Sequence, residues 1–170
     1  IAGRGGIDET VELAARAPRG LPQDSPFRAP ALFMATLGAG VSGHDDDAER
    51  YCEEGLQIAR SFGIASAEAY LLSWRALAAL RRGDTATAAD VGNEIGTLVR
   101  EHHLERLATT GLAMSVLAAV EASAGRLEEA SAALGAARRL TLLMRAITPW
   151  FSVLGPVLQA RCFVRLGDHD

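Results

Sequence analysis

Apolar residues recur along the chain at helical spacing, and no segment alternates at period two over the length of a strand. Tyr70, Leu71, Trp74, Leu77, Ala78 and Leu80 form one such set. Leu107, Leu112, Met114, Leu117 and Val120 form another. Both fit a repeat near 3.6 residues and run longer than a strand. The pattern predicts eight helices, at roughly 7–17, 27–42, 46–62, 66–82, 85–102, 105–124, 127–144 and 149–166. Asp45 or Asp46, Ser66, and Asp84 or Thr85 stand where N-caps belong. Pro149 suits a first helical turn, where its missing N–H costs nothing. The segment from Arg19 to Pro26 is the clearest loop.

The helices repeat. A glycine followed by a polar residue recurs at Gly43-His44, Gly83-Asp84, Gly125-Arg126 and Gly167-Asp168, with spacings of 40, 42 and 42. Five residues after each of the first three comes Ala48, Ala88 or Ala130. Seven residues before each of the four sits Thr36, Ala76, Ala118 or Ala160. Small residues at matched places let two helices approach. A period of forty-odd residues is the mark of a helical solenoid, in which neighbouring hairpins bury faces that one hairpin alone cannot. The first helix reads as the second half of a repeat, and the last pattern stops at the start of another. The expectation is a single helical-repeat domain over 1–170, cut from a longer chain.

Composition narrows the chemistry. The chain has 170 residues and a formal net charge of −4. It contains 32 alanines, and all 17 basic residues are arginine. Without lysine there is no Walker phosphate loop and no Schiff-base nucleophile in these residues. The mild acidity argues against a nucleic-acid footprint. Arginine-only basic usage with abundant alanine points to a GC-rich bacterial genome. Cys52 and Cys162 belong to no CxxC pair and fall on apolar faces, so two buried, reduced thiols are expected. No signal-peptide h-region opens the chain. Uncharged stretches such as 29–43 and 146–160 reach about 15 residues, short of the ~20 that span a bilayer. These features lead to the expectation of a cytoplasmic protein with no membrane contact.

Two resemblances follow from particular residues. The run from Ala78 to Ala88, with Arg81-Arg82-Gly83-Asp84 at its centre, resembles the helix–turn–helix of a tetratricopeptide repeat. Ala76 and Ala88 match the small residues of its two helices. The period exceeds the usual 34, and the terminal proline of that repeat is absent. The implied fold is an all-α right-handed superhelix, a solenoid of about four lengthened hairpins. More narrowly, three stretches resemble the repeat region of large ATP-binding, MalT-like LuxR-type transcriptional regulators. These are Leu21-Pro22-Gln23-Asp24-Ser25-Pro26-Phe27-Arg28, Leu56-Gln57-Ile58-Ala59-Arg60, and the run from Val157 to Asp168. In that family a nucleotide-binding module precedes a helical-repeat sensor, and a helix-turn-helix follows it. The implied partners are the other domains of the same chain and an inducer or protein partner, with no direct DNA contact by these residues. Related repeats accompany cyclases and kinases, so the output module stays open. The alternative is a tetratricopeptide-type interaction scaffold with no small ligand.

By the same resemblance, the first helix of each hairpin lines an inner groove. That register places Phe33 and Leu37, then Tyr70, Ser73, Leu77 and Arg81, on it. Leu112, Ser115 and Ala119 follow, then Leu154, Val157, Arg161 and Arg165. Arginines on a groove suit a carboxylate-bearing or acidic partner. Trp74 and Trp150 read as packing anchors.

Sharper motifs do not lead to a reaction. Gly38-Ala39-Gly40-Val41-Ser42-Gly43 spells GxGxxG, but a helix precedes it where a dinucleotide site needs a strand. His44-Asp45-Asp46-Asp47 lacks the spacing of a calcium loop and suits a helix start. His102 and His103 are adjacent, so on a helix they point about 100° apart and do not share a face. No serine or cysteine sits in a nucleophile setting. No catalytic residue, metal site or cofactor is expected, and the chain reads as a binding protein rather than an enzyme.

Overall fold

The computed structural model describes residues 7–144 and 151–167. Among them it is all-helical, with no strand. The helices are α1 (Ile7–Arg16), α2 (Arg28–Val41), α3 (Asp45–Phe62), α4 (Ala65–Arg82), α5 (Thr85–Glu101), α6 (Gly111–Ser123), α7 (Leu127–Met144) and α8 (Phe151–Leu166). They pack in successive pairs. Pro149 and Trp150 lie outside the described residues, as do the side chains of Leu154 and Arg165. No described helix is long and apolar enough to cross a membrane.

One turn explains the repeat. Gly43, Gly83 and Gly125 have φ of 78°, 76° and 77°. The residue after each glycine donates its N–H back into the preceding helix. The bonds run from His44 to Ala39 (2.9 Å), Asp84 to Ala79 (3.0 Å) and Arg126 to Glu121 (3.0 Å). Each glycine N–H caps a second carbonyl, on Gly40, Leu80 or Ala122. This is the Schellman arrangement, whose left-handed residue favours glycine. The carbonyls of His44, Asp84 and Arg126 then accept from Ala48, Ala88 and Ala130, which opens the next helix. Those alanines are buried, and so are Thr36, Ala76 and Ala118. Ala160, the fourth member of the small-residue series, is exposed.

Gly167, the fourth glycine of the series, also has positive φ (73°), and the full turn recurs between α3 and α4. Gly63 (φ 65°) joins α3 to α4, with Ile64 N–H donating to Ala59 (2.8 Å). Its following residue is apolar, so a glycine–polar pattern passes over it. The caps differ in detail from expectation. Asp84 accepts from Thr87 N–H at 3.0 Å and caps α5. His44, not an aspartate, is the N-cap of α3, while Asp45, Asp46 and Asp47 occupy its first turn. Ser66 falls inside α4, which begins at Ala65.

The sixth helix departs most from the sequence pattern. It starts at Gly111 rather than near 105. His103 adopts φ 53° and breaks the chain out of α5. Two short 3-10 turns, Leu104–Arg106 and Ala108–Thr110, fill the gap. Leu104 and Thr110 are turned inward and buried, so tertiary burial overrides a spacing that reads as helix.

Contacts divide the chain into two compact units, Ile1–Trp74 and Arg75–Asp170, with the division inside α4. In the first, α2 packs on α1 and α3. Leu32, Leu56, Leu71 and Leu72 form its fully buried centre. Cys52 is buried and donates its S–H to the Leu71 carbonyl at 3.3 Å. Arg28 ties the loop down: its guanidinium donates to the carbonyls of Pro18 and Leu21 and pairs with Glu54 at 2.6 Å. Trp74 is buried with its indole against Gly40, a packing anchor as expected. In the second unit α6 is central and contacts α5, α7 and α8. Ile95, Val116, Val120 and Cys162 are buried there.

Candidate functional site

The second unit holds a cleft of about 400 Å³. Leu77, Leu80 and Arg81 of α4 form one wall, and Leu158, Arg161 and Cys162 of α8 form another. Ala119 and Ser123 of α6 line it, with Gly83 and Thr85 from the turn into α5. Helical periodicity explains the set. Residues three and four apart share a face, as 77/80/81, 119/123 and 158/161/162 do. Small side chains on α6 leave the space. Leu158 is buried, whereas Leu77 and Leu80 are half-buried and Arg81 and Arg161 are exposed. Among the described residues, the charged side chains that line the cleft are Arg81 and Arg161. The nearby Asp84 carboxylate accepts from Thr87, and the hydrogen bonds from its side chain and then its N–H lower the Asp84 pKa below the usual carboxylate value.

The cleft therefore gathers Leu77, Arg81, Ala119 and Arg161 from the expected groove. The other expected residues have different places. Ser115 is wholly buried. Its hydroxyl donates to the Gly111 carbonyl (2.8 Å) and accepts from Gln159 Nε2 (3.1 Å). Gln159 Nε2 also donates to Thr141 Oγ1 at 3.0 Å, so the amide joins α6, α7 and α8 beside the cleft. This network settles how α8 sits, and Ser115 is structural rather than groove-lining. In the first unit Ser73 is also wholly buried and donates to the Ala69 carbonyl at 2.6 Å. Phe33 is buried and stacks on Tyr70 with centroids 4.9 Å apart. A hydroxyl spent on its own helix and a ring covered by its neighbour are not presented to a ligand. The Arg165 side chain lies outside the described residues.

A second cleft, about 600 Å³, was not foreseen. It lies among α5, α6 and α7, over Gly92, Gly96, Met114 and Leu117, with Arg100, Glu121 and Glu129 at its edges. The glycine pair four residues apart inside a helix was its only signal in the sequence. Glu121, though buried, is bonded to Arg126, whose pKa that hydrogen bond raises. An arginine is cationic at any ordinary pH, so this shift has no titration consequence.

No group of three histidine, cysteine, aspartate or glutamate residues is arranged for a metal ion among the described residues. The described residues define an all-α protein of helical hairpins joined by a repeated glycine turn. No family model, curated protein or solved structure matches the chain.

Proposed function

We propose that this chain is the helical-repeat sensor region of a cytoplasmic LuxR-type regulator of the ATP-binding, MalT-like kind. In this reading the α4–α6–α8 cleft receives an inducer or a partner. Nucleotide-binding and DNA-binding modules elsewhere in the parent protein receive the signal. The observation that carries it is the convergence of Leu77, Arg81 and Arg161 on one cleft. Register with tetratricopeptide arrays includes these positions among those it places on an inner groove. The physics of a relay is simple. A ligand shifts a structure only by binding one arrangement better than another. A cleft with walls on three helices favours the spacing that fits its occupant.

The test is the full reading frame around these residues. A phosphate loop upstream with a helix-turn-helix downstream supports a transcription regulator. A cyclase or kinase domain keeps the sensor and replaces the output. Repeats alone overturn the regulator reading and leave an interaction scaffold.

A further inference from the structure

We infer that the cleft among α5, α6 and α7 binds an apolar zwitterion the size of a dipeptide, its ammonium at Glu121 and Glu129 and its carboxylate at Arg100. This site is separate from the α4–α6–α8 cleft and does not rest on the regulator reading. The charges stand at opposite ends. A Cβ built at Gly92 meets Val120 Cγ1 at 2.7 Å and Leu117 Cδ1 at 3.8 Å, and one at Gly96 meets Leu117 Cδ2 at 4.0 Å. The two helices therefore run antiparallel, with Gly96 level with Leu117 and Glu121 one turn further from Arg100. Arg100 folds back over Gly96: its Nη1 lies 3.3 Å from where a Cβ would stand, and its Nη2 donates to Thr97 Oγ1 at 3.3 Å. A guanidinium has five donors, so this one bond leaves others for a carboxylate. At the far end Glu121 pairs with Arg126, and the charge of Glu129 acts on the same guanidinium. Among the described residues, the acids lining that end outnumber the cation they share. Four helical residues separate the two levels, about 6 Å, and two extended residues span about 7 Å, so a dipeptide reaches both. Between them the floor is apolar: Met114 and Ala133 are buried and Leu117 is half-buried. The volume of about 600 Å³ lies within the range for ligand pockets, roughly 300–1,000 Å³. Asn93, one turn before Thr97 on the same face of α5, brings an amide to the peptide group. An apolar acid would leave the carboxylates unanswered, and an apolar amine would leave Arg100 unanswered.

Leucyl-leucine is the probe, and binding is read by calorimetry on the intact chain. N-acetyl-leucyl-leucine removes the ammonium, leucyl-leucinamide removes the carboxylate, and glycyl-glycine removes the apolar body. Each is expected to bind roughly tenfold or more weakly, the scale of one charge-assisted hydrogen bond or of a few buried methylenes. Leucine and leucyl-alanyl-alanyl-leucine, with charges too close and too far apart, should also bind more weakly than leucyl-leucine. Glu129→Gln should weaken leucyl-leucine about tenfold and leave the acetylated peptide unchanged. Arg100→Ala should weaken leucyl-leucine about tenfold and leave the amidated peptide unchanged. Both residues are exposed, so the melting temperature should not move. Equal binding of either blocked peptide, or a variant that weakens blocked and free peptides alike, overturns the charge assignment. Preference for the tetrapeptide overturns the spacing, and equal binding of glycyl-glycine overturns the apolar body. No saturable leucyl-leucine binding overturns the inference outright. The regulator reading survives each of these and falls only on the reading frame.

Discussion

Gly40 and Gly38 stand two residues apart on α2, and alanine should have opposite effects at the two sites. A Cβ built at Gly40 overlaps the Trp74 indole, meeting Cη2 and Cζ2 and lying 2.7 Å from Cζ3. Carbon atoms pack at about 3.5–4.0 Å, so the ring must retreat by more than an ångström. Trp74 is only 8% exposed, and its surroundings are packed. Overpacking of this kind costs roughly 1–3 kcal/mol. Replacing glycine by alanine within a helix returns about 1 kcal/mol. The upper end of the overpacking cost applies here, because the clash is with a stiff ring. Gly40→Ala should therefore lose about 2 kcal/mol net. At Gly38 the nearest atoms, in Ala14 and Val11, are 3.6 Å from the added Cβ, an ordinary contact. Gly38→Ala should gain about 0.5–1 kcal/mol. Urea unfolding followed by circular dichroism measures both. In a thermal scan, Gly40→Ala should fall by about 4–8 °C at 2–4 °C per kcal/mol. Trp74→Leu in the Gly40→Ala background should recover part of the loss, giving a coupling of about 1 kcal/mol or more. A Gly40→Ala variant as stable as Gly38→Ala would refute the close approach of α2 to the indole.

Three further outcomes follow from the local chemistry. Gly83→Ala should cost about 1–2 kcal/mol through its positive φ alone, since nothing lies within 4 Å of the added methyl. Gly83→Asn should cost less, and a neutral Gly83→Ala in urea unfolding would contradict the left-handed turn. Asp84 is held below its ordinary pKa by hydrogen bonds from the Thr87 side chain and N–H. Its stabilisation is present above the unfolded value near 3.8 and fades as pH falls through the folded value. Acid titrations of stability for wild type and Asp84→Ala should therefore differ above pH 4 and converge below it; a constant gap would exclude the ionised cap. Arg28→Ala should cost about 1–3 kcal/mol, because it leaves a part-buried Glu54 and two loop carbonyls without their donor. Limited proteolysis between Arg19 and Phe27 should accelerate in that variant, and unchanged cleavage would show that the loop is held by other contacts.

Much of this protein was legible in its residues because the deciding forces are local. The hydrogen bonds of a helix close within four residues, so apolar spacing found all eight helices among the described residues. A Schellman turn is equally local, and its glycine at positive φ marked each forty-residue hairpin. Leu77, Arg81 and Arg161 of the cleft followed from hairpin register, which fixes the side of a helix that turns inward, whereas Leu80 and Leu158 did not.

Other features depended on what packs against what. The 102–110 segment carries leucines at near-helical intervals, yet burial of Leu104 and the left-handed His103 stop α5 and delay α6. Ser73 and Ser115 have the right register for a groove, yet both are wholly buried. Nothing in a serine's own sequence says whether a neighbouring helix will cover it. Gln159 reads as one more polar residue on α8, and its role emerges only when Ser115 and Thr141 arrive from 44 and 18 residues away. The sequence by itself determined the helices, the hairpin turns and the arginines of the cleft, because each is set within a few residues or one helical turn. The tertiary structure alone decided which of those inward-facing positions remain open, because burial is a property of the neighbours a residue meets across the fold.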